Sequence, residues 1–268
     1  MIPALSLNTA TVKQWTLAEC IEGCARHGIP GISPWRDVLQ EMGVDAAARR
    51  IRDAGLRVTG LCRGGMFPAA DAAGRAAAIE DNRRAIAEAA ALGADCLVMV
   101  CGGLPAGSKD LPGARAMVRD GLETILPEAR AAGVTLALEP LHPMTCADRS
   151  VLSTLAQALD LCDELGAGVG VAVDVYHVWW DPDLARQMAR AAGRIAAFHV
   201  CDWKVPTTDL VFDRGLPGEG VIDIRAIRAM AIRAGWQGGV EVEVLSRAVW
   251  AMDADEVLRQ AKAGASAC

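Results

Sequence analysis

The sequence predicts one (β/α)8 TIM barrel spanning residues 1–268, and three observations predict it. Eight short apolar runs alternate with Ala-, Leu-, Glu- and Arg-rich segments of helical spacing. Most of the runs are continuously apolar rather than alternating, as expected of parallel strands covered on both faces. Several helical segments end in a glycine one to three residues before the next run, which marks a repeated helix-to-strand junction.

In chain order, the strand-like runs are ALSLN (4–8), GISPW (31–35), RVTGLC (57–62) and CLVMVC (96–101). They continue with VTLALE (134–139), VGVAVD (169–174), IAAFHV (195–200) and GVEVEV (239–244). Helical spacing predicts helices over 73–92, 111–132, 150–165 and 253–264, among others. The glycine junctions read AALGADC, ARAAGVT, DELGAGVG and AIRAGWQGG. A doubly wound sheet would need fewer strands and a glycine-rich phosphate loop after the first; SLNTATVKQW has no such loop. No linker or low-complexity stretch divides the chain, so one domain is expected.

Composition narrows the function. Hydrophobic residues make up 52% of the chain and aromatic residues only 4%, so the core must be built from Ala, Val, Leu and Ile. With 27 basic against 33 acidic residues and no basic block, nucleic acid is excluded as the expected partner. Nine scattered cysteines without a CxxC pair argue against a zinc ribbon or thioredoxin-like site, and fit free buried thiols in a reducing compartment. The start, MIPALSLNTA, lacks the basic and apolar regions of an export signal, so a cytoplasmic location is expected. No run approaches the length needed to span a bilayer, so no membrane is expected.

In a barrel the reacting groups lie at the C-terminal ends of the strands. Four successive runs carry ligand-type residues at or near their C-terminal ends: Glu139, Asp174, His199, and Glu241 with Glu243. Glu241 and Glu243 point the same way by strand alternation, with Glu243 nearer the mouth. Carboxylates at the ends of apolar strands are costly to bury unpaired, and these strands carry no lysine. One divalent cation would meet Glu139, Asp174 and Glu243 together, with His199 as fourth ligand. Three oxygens and one nitrogen suit Mn²⁺ first, then Mg²⁺ or Co²⁺, with Zn²⁺ as a less favoured alternative.

The chain resembles the xylose-isomerase-like TIM-barrel superfamily of sugar isomerases and epimerases, which includes ketose 3-epimerases and inosose isomerases or dehydratases. The resemblance covers essentially the whole chain and rests on LALEP (136–140), DVYH (174–177), FHVCD (198–202), DRGLPGEG (213–220) and EVEVLS (241–246). It implies that Glu139, Asp174, His199 and Glu243 hold the metal. It further implies that Glu139 and Glu243 pass a proton across opposite faces of a substrate carbon, through a metal-stabilised enediolate. His177 and Arg214 match family residues that bind substrate oxygens. Arg63 would either meet a substrate oxyanion or carboxylate or form a structural ion pair. Asp202 is a further substrate-binding candidate, His142 and Arg149 are weaker ones, and Trp179 and Trp180 would either wall the pocket or pack against the following helix.

The expected activity is therefore a metal-dependent isomerase or epimerase of a small polyol-ketone, ketose or cyclitol, with assembly into a homo-oligomer left open. The alternative is a dehydratase of an inosose- or dehydroshikimate-like substrate on the same scaffold. Two departures from the ketose 3-epimerase pattern place substrate identity in question. Position 145, where those enzymes tend to carry a second glutamate, is Thr, and the loop VCDWKVPTTDLVFD between His199 and Arg214 is longer. The related DNA-repair endonucleases cluster three zinc ions with many histidines; this chain has four histidines and no basic face.

Overall fold

The computed structural model describes residues 5–268, so Ala4, the first residue of the earliest expected strand, and the first residues of the expected leaderless start lie outside the described residues. Strands β1 (Leu5–Asn8), β2 (Gly31–Ser33), β3 (Arg57–Val58) and β4 (Leu61–Gly65) are followed by β5 (Cys96–Val100) and β6 (Thr135–Leu138). Next come β7 (Val169–Asp174) and β8 (Ile195–Val200). A short antiparallel ribbon of β9 (Asp202–Trp203) and β10 (Arg214–Gly215) precedes the last barrel strand, β11 (Val240–Val242).

The main sheet runs in the order β3-β2-β1-β11-β8-β7-β6-β5-β4, and every pairing within it is parallel. Its two ends are halves of one stave. β3 pairs with β2, β4 pairs with β5, and an isolated parallel bridge between Trp35 and Cys62 closes the seam. The predicted (β/α)8 barrel is thus the observed fold, with the third expected run broken into two strands.

Helices Ala72–Leu92, Leu111–Ala131 and Ala254–Ala267 occupy the predicted spans to within three residues at either end. The segment expected to be helical over 150–165 starts only at Leu155, because the Thr154 side chain accepts from the Gln157 amide and caps the helix there. Upstream of that cap, Ser150 bridges in parallel to Gly102. Among the described residues no helix is long and apolar enough to cross a membrane.

Alternation along the staves decides what points into the barrel. Cys62, Cys96, Val98, Ala137, Ala172 and Ala197 form a separate small-residue cluster there. Glu139, Asp174 and His199 each stand two residues beyond one of these alanines, so they share its interior face. Large apolar side chains such as Leu97, Leu136, Leu138, Val171, Val173 and Phe198 belong instead to the main core. Small interior residues leave room for the polar groups above them. All nine cysteines are free, and all but Cys146 and Cys268 are buried, as expected from their scatter. Burial pushes the Cys20 and Cys24 thiols up to about 12.

One buried polar residue ties a helix to a stave. Asn82, fully buried in helix Ala72–Leu92, donates to Gly65 O at 2.7 Å and accepts from Gly65 N at 2.6 Å. Gly65 itself has φ 105°, and a Cβ there would lie 2.0 Å from Val100 O, so only glycine fits. Asn82→Ala leaves both Gly65 groups unpaired and is expected to lower unfolding stability by about 2–4 kcal/mol. Urea unfolding monitored by circular dichroism checks this; an unchanged midpoint would contradict it.

Candidate active site

Four adjacent staves deliver one cluster. Asp174 and His199 lie opposite each other in the β7–β8 register, and Glu241 lies opposite His199 in the β11–β8 register. Glu139 follows β6, where its amide donates to Met99 O at 3.1 Å; Glu243 follows β11, where its amide donates to Val200 O at 3.2 Å. All four of Glu139, Asp174, His199 and Glu243 are buried, and one ligand atom from each lies within 4.8 Å of the others. It is Glu243, two residues nearer the mouth, that joins this group rather than Glu241.

The electrostatics ask for positive charge. Burial first, and then Glu243, hold the Asp174 carboxyl above its ordinary range, against the pull of Arg214. Burial first, and then Glu139, do the same to Glu243. Burial disfavours a charged His199, but Glu241, Glu139 and Glu243 outweigh it and hold that imidazole well above its usual value. Without a cation the cluster therefore gathers protons. A dication satisfies the same donor set without them, so these residues could hold a metal ion.

The two nitrogens of His199 face different partners. Nδ1 lies 3.1 Å from Glu139 Oε1 and 3.9 Å from Glu243 Oε2. Nε2 lies 3.4 Å from Glu241 Oε1, close enough for an ion pair but not aligned for a hydrogen bond, and no other acceptor reaches it. Glu241 is itself fixed by Asn8 Nδ2 at 2.8 Å and Thr59 Oγ1 at 2.9 Å. Glu241 thus sits behind the imidazole, where a carboxylate orients a ligating histidine. Glu241→Gln is expected to weaken Mn²⁺ or Zn²⁺ binding by about tenfold, read by isothermal titration calorimetry. Equal affinity in the variant would contradict that role.

Arg214 enters from β10. Its Nη1 donates to Asp174 Oδ2 at 3.0 Å and lies 3.6 Å from Glu243 Oε2, while its guanidinium stacks 4.4 Å over the Tyr176 ring. His177, one turn beyond Asp174, is buried; its Nδ1 accepts from the His142 amide at 3.1 Å. Burial first, and Arg214 next, hold the His177 pKa well below its usual value, so the ring is neutral. Nε2 stands between Arg214 Nη2 at 3.2 Å, which can only donate, and Asp174 Oδ2 at 3.6 Å.

Glu139, Glu243, His177, Arg214, Arg63 and Arg149 line a common cavity with Trp35, Cys62 and Thr145. Asp174 and His199 of the cluster are not part of its lining, and two of the predicted substrate-binding residues do not reach it either. The Asp202 carboxylate is spent on main-chain amides, accepting from Trp203 and Ile222 on Oδ1 and from Gly218 on Oδ2, and so shapes the turn after β10. The His142 ring packs between Trp180 and Trp203, with centroids at 5.4 and 5.3 Å. Trp179 and Trp180 join this aromatic cluster instead of walling the cavity; Trp179 packs 5.6 Å from Trp203, and Trp180 Nε1 donates to His177 O. Trp35, which sequence reasoning passed over, donates Nε1 to Glu243 Oε1 at 3.3 Å. Its place at the end of the second predicted run was the available signal.

The long loop after His199 folds over the mouth. Leu210 and Val211 line the cavity, Tyr176 Oη donates to Leu210 O at 3.1 Å, and Arg247 pairs with Asp209 at 2.6 Å. The space left at the cluster is about 30 Å³, room for one or two waters. A larger cavity of about 910 Å³ opens at the N-terminal end of the barrel, beside Leu5, and contains none of the four clustered ligands. Glu139 and Glu243 of the ligand cluster line the smaller space and not the larger, which makes the smaller one the candidate site.

A sequence model described as "xylose isomerase-like TIM barrel" matches residues 21–264. The chain belongs to this family. A crystal structure of protein SMc04130 from Sinorhizobium meliloti 1021 is 55% identical, with a TM-score of 0.98, and the alignment covers 100% of this chain and 99% of that one. Two more distant structures share the fold. The IolI protein with a bound zinc atom has a TM-score of 0.84 at 22% identity, over 97% of this chain and 96% of its own. D-psicose 3-epimerase, solved in the presence of D-fructose, has a TM-score of 0.80 at 18% identity, over 97% and 96%. No curated protein matches the chain.

Proposed function

We propose that this xylose isomerase-like barrel is a metal-dependent isomerase or epimerase of a small ketose, polyol-ketone or cyclitol, working by proton transfer. One observation carries the reading: the buried ligand atoms of Glu139, Asp174, His199 and Glu243 converge within 4.8 Å at the C-terminal end of the barrel. Glu139 and Glu243 come from the outermost of the four adjacent staves, with β7 and β8 between them, so their carboxylates flank the cluster. The similarity to a psicose 3-epimerase and to a zinc-binding relative supports the same reading.

A C–H beside a carbonyl is a very weak acid in water. A divalent cation held by the four ligands, Mn²⁺ before Mg²⁺, Co²⁺ or Zn²⁺, would supply the positive charge that makes such a proton removable. The chain's own residues do the rest. One glutamate takes the proton from carbon and the other returns one from the far face. The Arg214 guanidinium donates to substrate oxygens, with the neutral His177 ring beside it as a further hydrogen-bonding partner. Trp35 fixes the Glu243 carboxylate through its indole N–H. The loop bearing Leu210 and Val211 keeps bulk water out, and it must part to admit a ketose, given the small space beneath it.

Incubating the Mn²⁺-loaded protein in D₂O with a panel of ketoses and inososes tests the proposal. Solvent deuterium at the carbon next to the carbonyl, without loss of water, is the expected result. Loss of water from the product would point to a dehydratase, and no exchange in any member of the panel would overturn the proposal.

A further inference from the structure

Three guanidiniums line the cavity, and only one has a carboxylate partner. Arg214 is held by Asp174 at 3.0 Å and Glu243 at 3.6 Å. Among the described residues no Asp or Glu oxygen comes within 4.0 Å of the Arg63 or Arg149 guanidinium, and neither makes a hydrogen bond to protein. Both are partly buried. Burial first, and then Arg214 and Arg63, push the Arg149 pKa down; Asp148 and Glu243 oppose this from beyond ion-pair distance. A guanidinium cannot shed its charge at neutral pH, so crowding it against two others is unfavourable unless an anion arrives.

Both arginines stand on fixed backbone. Arg63 belongs to β4. The Arg149 amide donates to Thr145 O at 2.9 Å, and its carbonyl accepts from Gly102 N at 3.0 Å. Among the described residues the only acids lining this cavity are Glu139 and Glu243, which belong to the ligand cluster; Thr145 is an uncharged polar wall group. The cavity therefore holds two carboxylates placed to accept a cation and a ketol, and two arginines with no carboxylate partner to neutralise them.

We propose that Arg63 and Arg149 form an anion clamp, and that the substrate is an α-hydroxyketone bearing a carboxylate or phosphate group away from the reacting carbon. This rests on the enolising reading of the site and names the class of ketone it takes. Paired N–H donors of two arginines suit anionic oxygens of either group.

Three probes share one ketol and differ only in the third carbon's substituent: dihydroxyacetone, hydroxypyruvate and dihydroxyacetone phosphate. With the Mn²⁺-loaded protein, calorimetry should give a Kd for at least one anion that is about tenfold or more below that of dihydroxyacetone. Whichever anion binds more tightly identifies the source of the charge. Arg63→Gln and Arg149→Gln should each erase most of that preference while leaving the Mn²⁺ Kd unchanged, and Arg149→Lys should restore part of it. Equal affinity for all three probes in the unaltered protein overturns the clamp, whether or not a variant folds. So does an anion preference that survives both Gln variants. Deuterium exchange into neutral ketoses alone would leave the enolising reading standing while this one falls, and anion binding without exchange would do the reverse.

Discussion

Glu139→Gln and Glu243→Gln, each assayed at saturating Mn²⁺, should slow interconversion of the two substrate epimers by about 10³-fold or more. The amide keeps the size of the carboxylate and one neutral oxygen, so the barrel is little disturbed, but it cannot carry the proton. The reasoning yields a sharper signature than lost activity. Inversion needs removal on one face and delivery on the other, so either substitution stops it. Wash-in of deuterium with retention needs only the carboxylate that remains. Each variant should therefore still exchange one epimer, and the two variants should favour opposite epimers. Loss of exchange from both epimers in both variants, with the Mn²⁺ affinity measured and adequate, would mean that the two glutamates do not divide the faces. Full activity in either variant would remove it from the mechanism.

The same residues show how far a sequence alone can go. Asp174 and His199 were legible because each ends an uninterrupted apolar stave, and parallel pairing sets such ends side by side. The choice of Glu243 over Glu241 was legible from alternation, since two residues along a strand is one step toward the mouth. That Asp202 and His142 lie away from the cavity was not legible, for the opposite reason. Asp202 lies in a two-residue strand and His142 in irregular chain, where no sustained period says which way a side chain turns, and their surroundings are made by segments distant in sequence. Asp202 meets amides of Gly218 and Ile222, contributed by the turn after β10. His142 meets Trp180, contributed by the turn after His177, and Trp203, contributed by β9. Arg149 was undervalued likewise: its place in the cavity depends on the Gly102–Ser150 bridge that pulls its loop inward. Regular staves transmit position through the sequence, whereas loops acquire it only from their neighbours.

Stripping the cation should make the protein lose stability as pH rises, and restoring it should reverse that loss. Asp174, Glu243 and His199 all hold folded-state pKa values above their ordinary ones. The metal-free folded chain therefore binds more protons than the unfolded chain, and unfolding free energy falls with pH, by about 1.4 kcal/mol per unit for each extra proton held. The His199 contribution is complete below its unfolded value, about 6.5, and disappears as pH climbs through the raised folded value. The two carboxyls follow the same sign, starting from the ordinary carboxylate range near about 4. A cation needs these ligands deprotonated, so its affinity rises over the same interval. At about a hundred times its Kd it adds about 2.7 kcal/mol, and that gain grows as Kd falls. Thermal melts of EDTA-treated and Mn²⁺-saturated protein between about pH 5.5 and 8.5 should therefore diverge, with the Tm gap widening toward the alkaline end. Parallel curves would mean that protons and cation do not compete for one place, and a gap that narrows with pH would mean that the cation binds elsewhere.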